Sequence, residues 1–151
     1  MPGIIVGLDG SGHSQRALDW AAREAALRNA ALTVVVVHPL VRGYSGRGVE
    51  YVGDAELATK AGEEAQAETE SVLAGLDSRP PSVDVQVRSG IPAEELVAAT
   101  KGADMIVLGS RGVGGFAHLL MGSTSAQVAH HAECPVVIIP EEHRHRHSHD
   151  A

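Results

Sequence analysis

The chain has 151 residues, of which 44% are hydrophobic and 3% aromatic, and its formal net charge is −7. This content can form one core, so we expect a single domain over residues 1–140. The acidic, aromatic-poor composition argues against a nucleic-acid polymer as partner, since such surfaces need clustered cations. No apolar run approaches the roughly 20 residues of a membrane-spanning helix, and a single cysteine forms no internal disulfide. We therefore expect a soluble cytoplasmic protein with no membrane partner.

The first half of the chain alternates short apolar runs with helical patterns. Ile4–Leu8 predicts a strand, and apolar residues at helical spacing after it predict a helix. The run Leu32–Val37 predicts a central parallel strand, because it is too uniformly apolar for a sheet with one face in water. Residues 39–53 contain four glycines and no periodic pattern, so we expect a long surface loop there. An amphipathic helix is predicted over Ala55–Leu76.

The second half continues the alternation. Residues 83–87 alternate apolar and polar side chains, which is typical of an edge strand. Residues 92–102 predict a helix that starts with proline and ends at glycine. Further apolar runs predict a fourth strand over 105–108, a helix over 125–132 and a fifth strand over 136–139. Strands and helices in strict alternation predict a parallel α/β sheet with right-handed crossovers.

The last residues, 141–151, carry four histidines and two arginines and no apolar side chain before Ala151. This composition predicts a disordered, histidine-rich tail outside the domain. An alternating His-Arg run is also able to hold Zn²⁺ or Ni²⁺ weakly. The composition favours the solvated tail.

Two polar turns that contain glycine, Asp9–Gly12 and Gly109–Gly112, each follow a predicted strand, and they face one crevice if these strands are neighbours. In open parallel sheets, ligands bind at the carboxyl ends of strands where the strand order reverses. Glycines allow a ligand close to the main chain, and a helix starting near Gly122–Ser125 offers unpaired N–H groups and hydroxyls. These features suit a phosphate chain. A plain turn and a helix cap explain an isolated glycine pair equally well.

The segment GSRGVGGFAHLLMGSTSAQVAHHAECPVVIIP carries the spacing G-2X-G-9X-G-(S/T), and the chain starts with IIVGLDGSGHSQRALDWA. Both stretches resemble the universal stress protein family, and the resemblance covers nearly all of residues 3–140. It implies an open five-stranded parallel sheet in the order 3-2-1-4-5 with helices on both faces. This is a Rossmann-like fold similar to that of the adenine nucleotide alpha hydrolases. It also implies a stress-response role, frequent homodimers and binding of ATP, with ADP or AMP as alternatives and Mg²⁺ accompanying the nucleotide.

The resemblance also implies the residues of the site. Gly7, Leu8 and Asp9 match the family's stretch on the adenine and ribose side, and Pro39 falls near an adenine contact. The residues expected at the ribose and phosphates are Gly109, Arg111, Gly112, Gly122, Ser123, Thr124 and Ser125. Leu108 is also expected among the binding residues. Direct contact between Arg111 and phosphate is a hypothesis, because the family accepts several residue types there.

The same residues favour binding over catalysis. A Walker-type loop needs a lysine after its glycine, and the only lysines, Lys60 and Lys101, lie on predicted helices. No general base is evident. We expect an ATP-binding protein that acts as a nucleotide-dependent switch or interaction module. Two alternatives stay open: a slow ATPase or other nucleotide-using enzyme, and a nucleotide-free dimeric protein that binds partners.

Two further features concern the end of the domain. The wholly apolar strand Val136–Ile139 lies at a sheet edge in the implied strand order, and exposed apolar edges favour pairing. We therefore expect a homodimer through this strand. Cys134 is interpreted as a small buried hydrophobe and not as a nucleophile.

Overall fold

A computed structural model describes residues 3–8, 12–39, 41–45, 48–52, 55–110 and 122–140. The tail over 141–151 lies outside the described residues. The strands and helices are, in chain order, β1 (Gly3–Leu8), α1 (Gly12–Arg28), β2 (Ala31–Pro39), β3 (Val41–Ser45), β4 (Gly48–Val52), α2 (Ala55–Ala74), β5 (Val83–Gly90), α3 (Pro92–Ala99), β6 (Met105–Gly109), α4 (Ser123–His131) and β7 (Val136–Ile139).

Five strands form one parallel sheet in the order β5-β2-β1-β6-β7. Counted along the chain within this sheet, the order is 3-2-1-4-5, so the fold implied by the sequence is confirmed. The strand order reverses between β1 and β6, because the chain first builds the sheet towards β5 and then returns to the other side of β1.

The segment between β2 and α2 differs from the expected loop over residues 39–53. β3 and β4 pair antiparallel, from Val41 with Val52 to Ser45 with Gly48, and form a separate two-stranded sheet. The loop prediction was wrong because glycines interrupt two short β-prone runs and hide their alternation. In the sequence, the detectable signal is the glycine-first pair Gly46-Arg47 between the two runs, which is typical of a hairpin.

Helix ends deviate slightly from the sequence prediction. α2 ends at Ala74, before the expected Leu76, and α4 begins at Ser123, two residues before its predicted start. Gly122 is the N-cap of α4 with an extended backbone at φ −70° and ψ 161°. Pro92 occupies the first turn of α3 as expected. The predicted closing glycine, Gly102, has a φ of +80°, in the left-handed region where glycine is favoured.

The sheet buries apolar residues on both faces. Ile4 and Val6 of β1 pack in a cluster with α1 and α2, whereas Ile5 packs in a second cluster with Leu96 of α3 and Val128 of α4. Each such side chain contributes about 1.5–3 kcal/mol when fully buried. Burial on both faces explains why the central strands are apolar at successive positions.

Gly7 is a buried residue of β1 whose missing side chain is required by packing. A Cβ at Gly7 would lie 2.8 Å from Cδ2 of Leu108 and 2.9 Å from Cδ2 of Leu96. Both distances are shorter than ordinary van der Waals contact, so a methyl group at position 7 would force the side chains of Leu96 and Leu108 to shift.

Gly7→Ala should therefore lower the free energy of unfolding by about 1–3 kcal/mol, the usual cost of overpacking a core. Gly75→Ala is the matched control, because the nearest atom to its new Cβ is Val72 O at 3.6 Å. Urea unfolding followed by circular dichroism measures both. Equal unfolding midpoints for the two variants would contradict this packing role of Gly7.

Candidate functional site

The carboxyl edge of the sheet opens between β1 and β6. β1 pairs with β2 as far as Leu8 with Val36, whereas β1 and β6 pair only as far as Val6 with Val107. β6 continues beside β7 to Gly109, which lies opposite Ile139. The last residues of β1 and β6 thus do not pair with each other. This opening lies where the strand order reverses, which is where open parallel sheets bind ligands.

The start of α4 lies at this opening. The N–H of Gly122 donates to Ser110 O, and the N–H of Ala126 donates to Gly122 O at 2.9 Å. No side chain among the described residues caps the helix. The backbone N–H groups of Ser123, Thr124 and Ser125 have no acceptor among the described residues. They carry the partial positive charge of a helix N-terminus.

The three hydroxyl groups on this turn have different environments. The Ser123 side chain is exposed and that of Thr124 is half-buried. Ser125 is buried, and its Oγ donates to Gly109 O at 2.6 Å. The outward hydroxyls are therefore those of Ser123 and Thr124.

Three of the predicted site residues have no side chain that could reach a ligand. Gly7 is buried in β1, and the side chains of Leu8 and Leu108 lie in the core, 5% and 4% exposed. Any contact from these positions to a ligand must therefore come from backbone atoms. Gly109 is half-buried at the end of β6.

The structure describes the remaining predicted positions only in part or not at all. Pro39 ends β2 and pairs with Gly90, but its side chain is not described. Asp9, Arg111 and Gly112 lie outside the described residues. The structure thus brings the ends of β1 and β6 and the start of α4 to one edge, and the placement of these three remains a prediction.

Ser110 is a structural residue of the site that sequence reasoning did not assign. Its N–H donates to Ile139 O at 2.9 Å, and its carbonyl accepts the N–H of Gly122. Nearby, Arg16 Nη1 of α1 donates to Pro140 O at 2.6 Å. Ser110 therefore joins β7 to α4. Its only signal in the sequence was its place inside the glycine segment.

Other candidate groups lie away from this opening. His130 and His131 are exposed at the end of α4, with ring centroids 4.9 Å apart in an edge-to-face arrangement. Within the described ranges, no group of three or more histidine, cysteine or acidic residues is placed to hold a metal ion. The same ranges contain no helix that is long and apolar enough to cross a bilayer.

The open α/β sheet defines the class of protein as a Rossmann-like fold. The N–H groups at the start of α4, which have no acceptor among the described residues, make its switch point suited to an anion. The universal stress protein family matches residues 2–140, and the chain belongs to this family.

Curated relatives include a universal stress protein of Mycolicibacterium smegmatis, 37% identical over 91% of this chain and 47% of the relative. One from Mycobacterium tuberculosis strain H37Rv is 37% identical over 94% of this chain and 49% of its own length. The chain thus spans about half the length of these relatives.

Solved structures of the family have the same fold. A universal stress protein from Lactobacillus plantarum aligns with a TM-score of 0.67 at 24% identity, covering 91% of this chain and 97% of its own. A second, solved in complex with cAMP, has a TM-score of 0.65 and 26% identity, over 92% of this chain and 96% of its own.

Cys134 packs, partly buried, against the second core cluster beside β7. Burial raises the pKa of its thiol and nearby Asp104 adds to this, while a hydrogen bond from the Ile106 N–H acts in the opposite direction. The thiol therefore stays protonated at neutral pH, in agreement with its interpretation as a small hydrophobe and not a nucleophile.

Alkylation of Cys134 by iodoacetamide should accordingly be slower in the folded protein than in the same chain unfolded in urea. The pH of half-maximal rate should also be higher in the folded protein, because only the thiolate reacts. Mass spectrometry of timed reactions across a pH series measures both quantities. A folded-state rate equal to or above the unfolded rate would contradict the raised pKa.

Proposed function

We propose that this universal stress protein binds an adenine nucleotide, with ATP as its Mg²⁺ complex the preferred form and ADP or AMP as alternatives. The supporting observation is the first turn of α4, which no described side chain caps and whose N–H groups at Ser123, Thr124 and Ser125 lie at the opening between β1 and β6. Such N–H groups bind phosphate without a cationic side chain. An acidic chain with a net charge of −7 is therefore compatible with an anionic ligand.

In this proposal the phosphate chain lies against the start of α4. Ser123 and Thr124 contribute main-chain N–H groups and hydroxyls, and Gly109 and Gly122 allow a close approach. Gly112 and Arg111 belong to the same part of the proposed site. Arg111 would add a charge-assisted hydrogen bond to phosphate.

The adenine and ribose would lie on the other side of the opening, towards β1 and β2. Gly7, Leu8 and Leu108 would contribute main-chain atoms there, since their positions are buried in the core. Asp9 would accept a hydrogen bond from a ribose hydroxyl, and Pro39 would contact the base. The related protein solved with cAMP, at 26% identity, supports the choice of an adenine nucleotide.

The proposed activity is nucleotide binding with at most slow hydrolysis. The protein would act as a nucleotide-dependent switch or interaction module in a cytoplasmic stress response. Both lysines lie away from the proposed site. Lys60 is on α2, which packs on β2 and β5, and Lys101 follows the end of α3 at the opposite edge of the sheet. The site thus lacks the lysine that neutralises developing charge in phosphate loops.

Ser123→Glu tests the phosphate position. A carboxylate at the first residue of α4 interacts favourably with the helix dipole, so the free energy of unfolding should not fall. The same carboxylate repels phosphate, so ATP affinity should fall about tenfold or more, or about 1.4 kcal/mol, while adenosine affinity stays unchanged. Isothermal titration calorimetry measures both ligands.

The matched control is Ser71→Glu, which adds the same charge at an exposed position on α2. It should leave the affinities for ATP and adenosine unchanged. The phosphate position would be refuted if Ser123→Glu bound ATP as tightly as the wild type.

We further propose that two copies of the chain pair through β7. The carbonyl of Pro135 accepts the Ile106 N–H, so alternate main-chain groups of β7, those of Val136 and Ile138, point away from β6. All four side chains of β7 are half-buried apolar groups at a sheet edge. A second copy would cover them. Because Ser110 contacts both β7 and the N-cap of α4, this pairing would be coupled to the nucleotide site.

Ile138→Pro removes one outward N–H while keeping the bonds between β6 and β7, and it should convert a dimer into a monomer. Val87→Pro is the control, because Val87 has an outward N–H on the opposite edge strand, β5, and should leave the dimer intact. Light scattering after size-exclusion chromatography gives both masses. A monomeric wild type, or a dimeric Ile138→Pro variant, would argue against β7 as the interface.

A further inference from the structure

The peptide group between Gly109 and Ser110 has a fixed direction at the end of β6. Its N–H donates to Ile139 O on β7 at 2.9 Å. No described peptide bond is cis, and in a trans peptide the C=O points opposite to the N–H. The carbonyl of Gly109 therefore points away from β7, towards the side of β1.

At this level β1 no longer pairs with β6. The last pair between the two strands is Val6 with Val107, so the ladder ends before it reaches Gly109. The carbonyl of Gly109 thus faces the opening in which we propose that the nucleotide binds. A carbonyl oxygen carries partial negative charge, which is unfavourable beside a phosphate group.

Ser125 supplies the hydrogen bond that the ladder does not. Its Oγ lies 2.6 Å from Gly109 O, and the side chain is only 7% exposed. This bond ties the first turn of α4 to the last residue of β6. It fixes the helix start relative to the sheet and satisfies the carbonyl that faces the opening.

The same bond limits what Ser125 can do for a ligand. A serine hydroxyl has one hydrogen to donate, and phosphate oxygens can only accept. While the hydrogen is directed to Gly109 O, the Ser125 hydroxyl has none for phosphate. Its main-chain N–H remains free to donate.

We infer that Ser125 is a positioning residue of the site, whose hydroxyl holds the start of α4 and masks the Gly109 carbonyl. The hydroxyls that face the phosphates are then those of Ser123 and Thr124. This inference rests on the proposed function for its ligand, but the hydrogen bond itself is a property of the protein without nucleotide.

The test compares Ser125→Ala, which removes the bond, with Ser125→Thr, which restores a hydroxyl at the same position. Thr69→Val is the matched control, because Thr69 Oγ1 makes a similar buried bond to Ala65 O at 2.7 Å on α2. Two quantities are measured in each variant. They are the affinities for ATP and adenosine by calorimetry, and the exchange rate of the Ala126 amide, bonded to Gly122 O, in nucleotide-free protein.

We expect Ser125→Ala to lower ATP affinity about fivefold or more, the effect of one unsatisfied buried group, without changing adenosine affinity. The Ala126 amide should exchange faster in the same variant, and Ser125→Thr should restore both quantities. Thr69→Val should reduce thermal stability and leave the ratio of the two affinities unchanged.

Unchanged ATP affinity in Ser125→Ala would overturn the inference. So would a loss of ATP affinity with unchanged exchange at Ala126, because that combination marks a hydroxyl that contacts phosphate directly. If the wild type binds no ATP, the proposed function fails, and exchange at Ala126 decides on its own whether Ser125 holds the helix start.

Discussion

The peptide group between Gly109 and Ser110 organises the carboxyl edge of this sheet. Its N–H bonds to Ile139 O, its carbonyl accepts the Ser125 hydroxyl, and the next carbonyl, that of Ser110, accepts the N–H of Gly122. These three hydrogen bonds join β6 to β7 and to the start of α4. Because they use the backbone groups of Gly109 and Ser110, these groups need no partner on β1 where the sheet opens.

The opening explains how an acidic protein of this kind would recognise an anion. Local N–H groups and a helix dipole act over a few ångströms, whereas the charges of surface carboxylates are screened over about 8–10 Å. The N–H of Gly122 donates to Ser110 O, whereas the N–H groups of the next three residues have no acceptor among the described residues. The favourable interaction with phosphate would therefore come from backbone geometry rather than from side-chain charge.

The sequence predicted the elements that have a clear local pattern, and it missed two short strands and the contacts between distant residues. The run Leu32–Val37 identified a central strand because burial on both faces leaves Thr33 as its only polar residue. The β3–β4 hairpin was missed because its runs are short and contain glycine. Three hydroxyls in Ser123–Ser125 look alike in sequence. Their environments differ because β6 ends at Gly109, whose carbonyl accepts the Ser125 hydroxyl. These two residues are 16 positions apart in the sequence.

The amide ¹⁵N and ¹H chemical shifts of Ser123 and Thr124 test the central claim most directly, in titrations with MgATP and with adenosine. If the phosphate chain binds the start of α4, saturation with MgATP shifts both amides strongly, since N–H groups without acceptors acquire one. Saturation with adenosine leaves them nearly unchanged. Unchanged chemical shifts of both amides at saturation with MgATP would contradict the account.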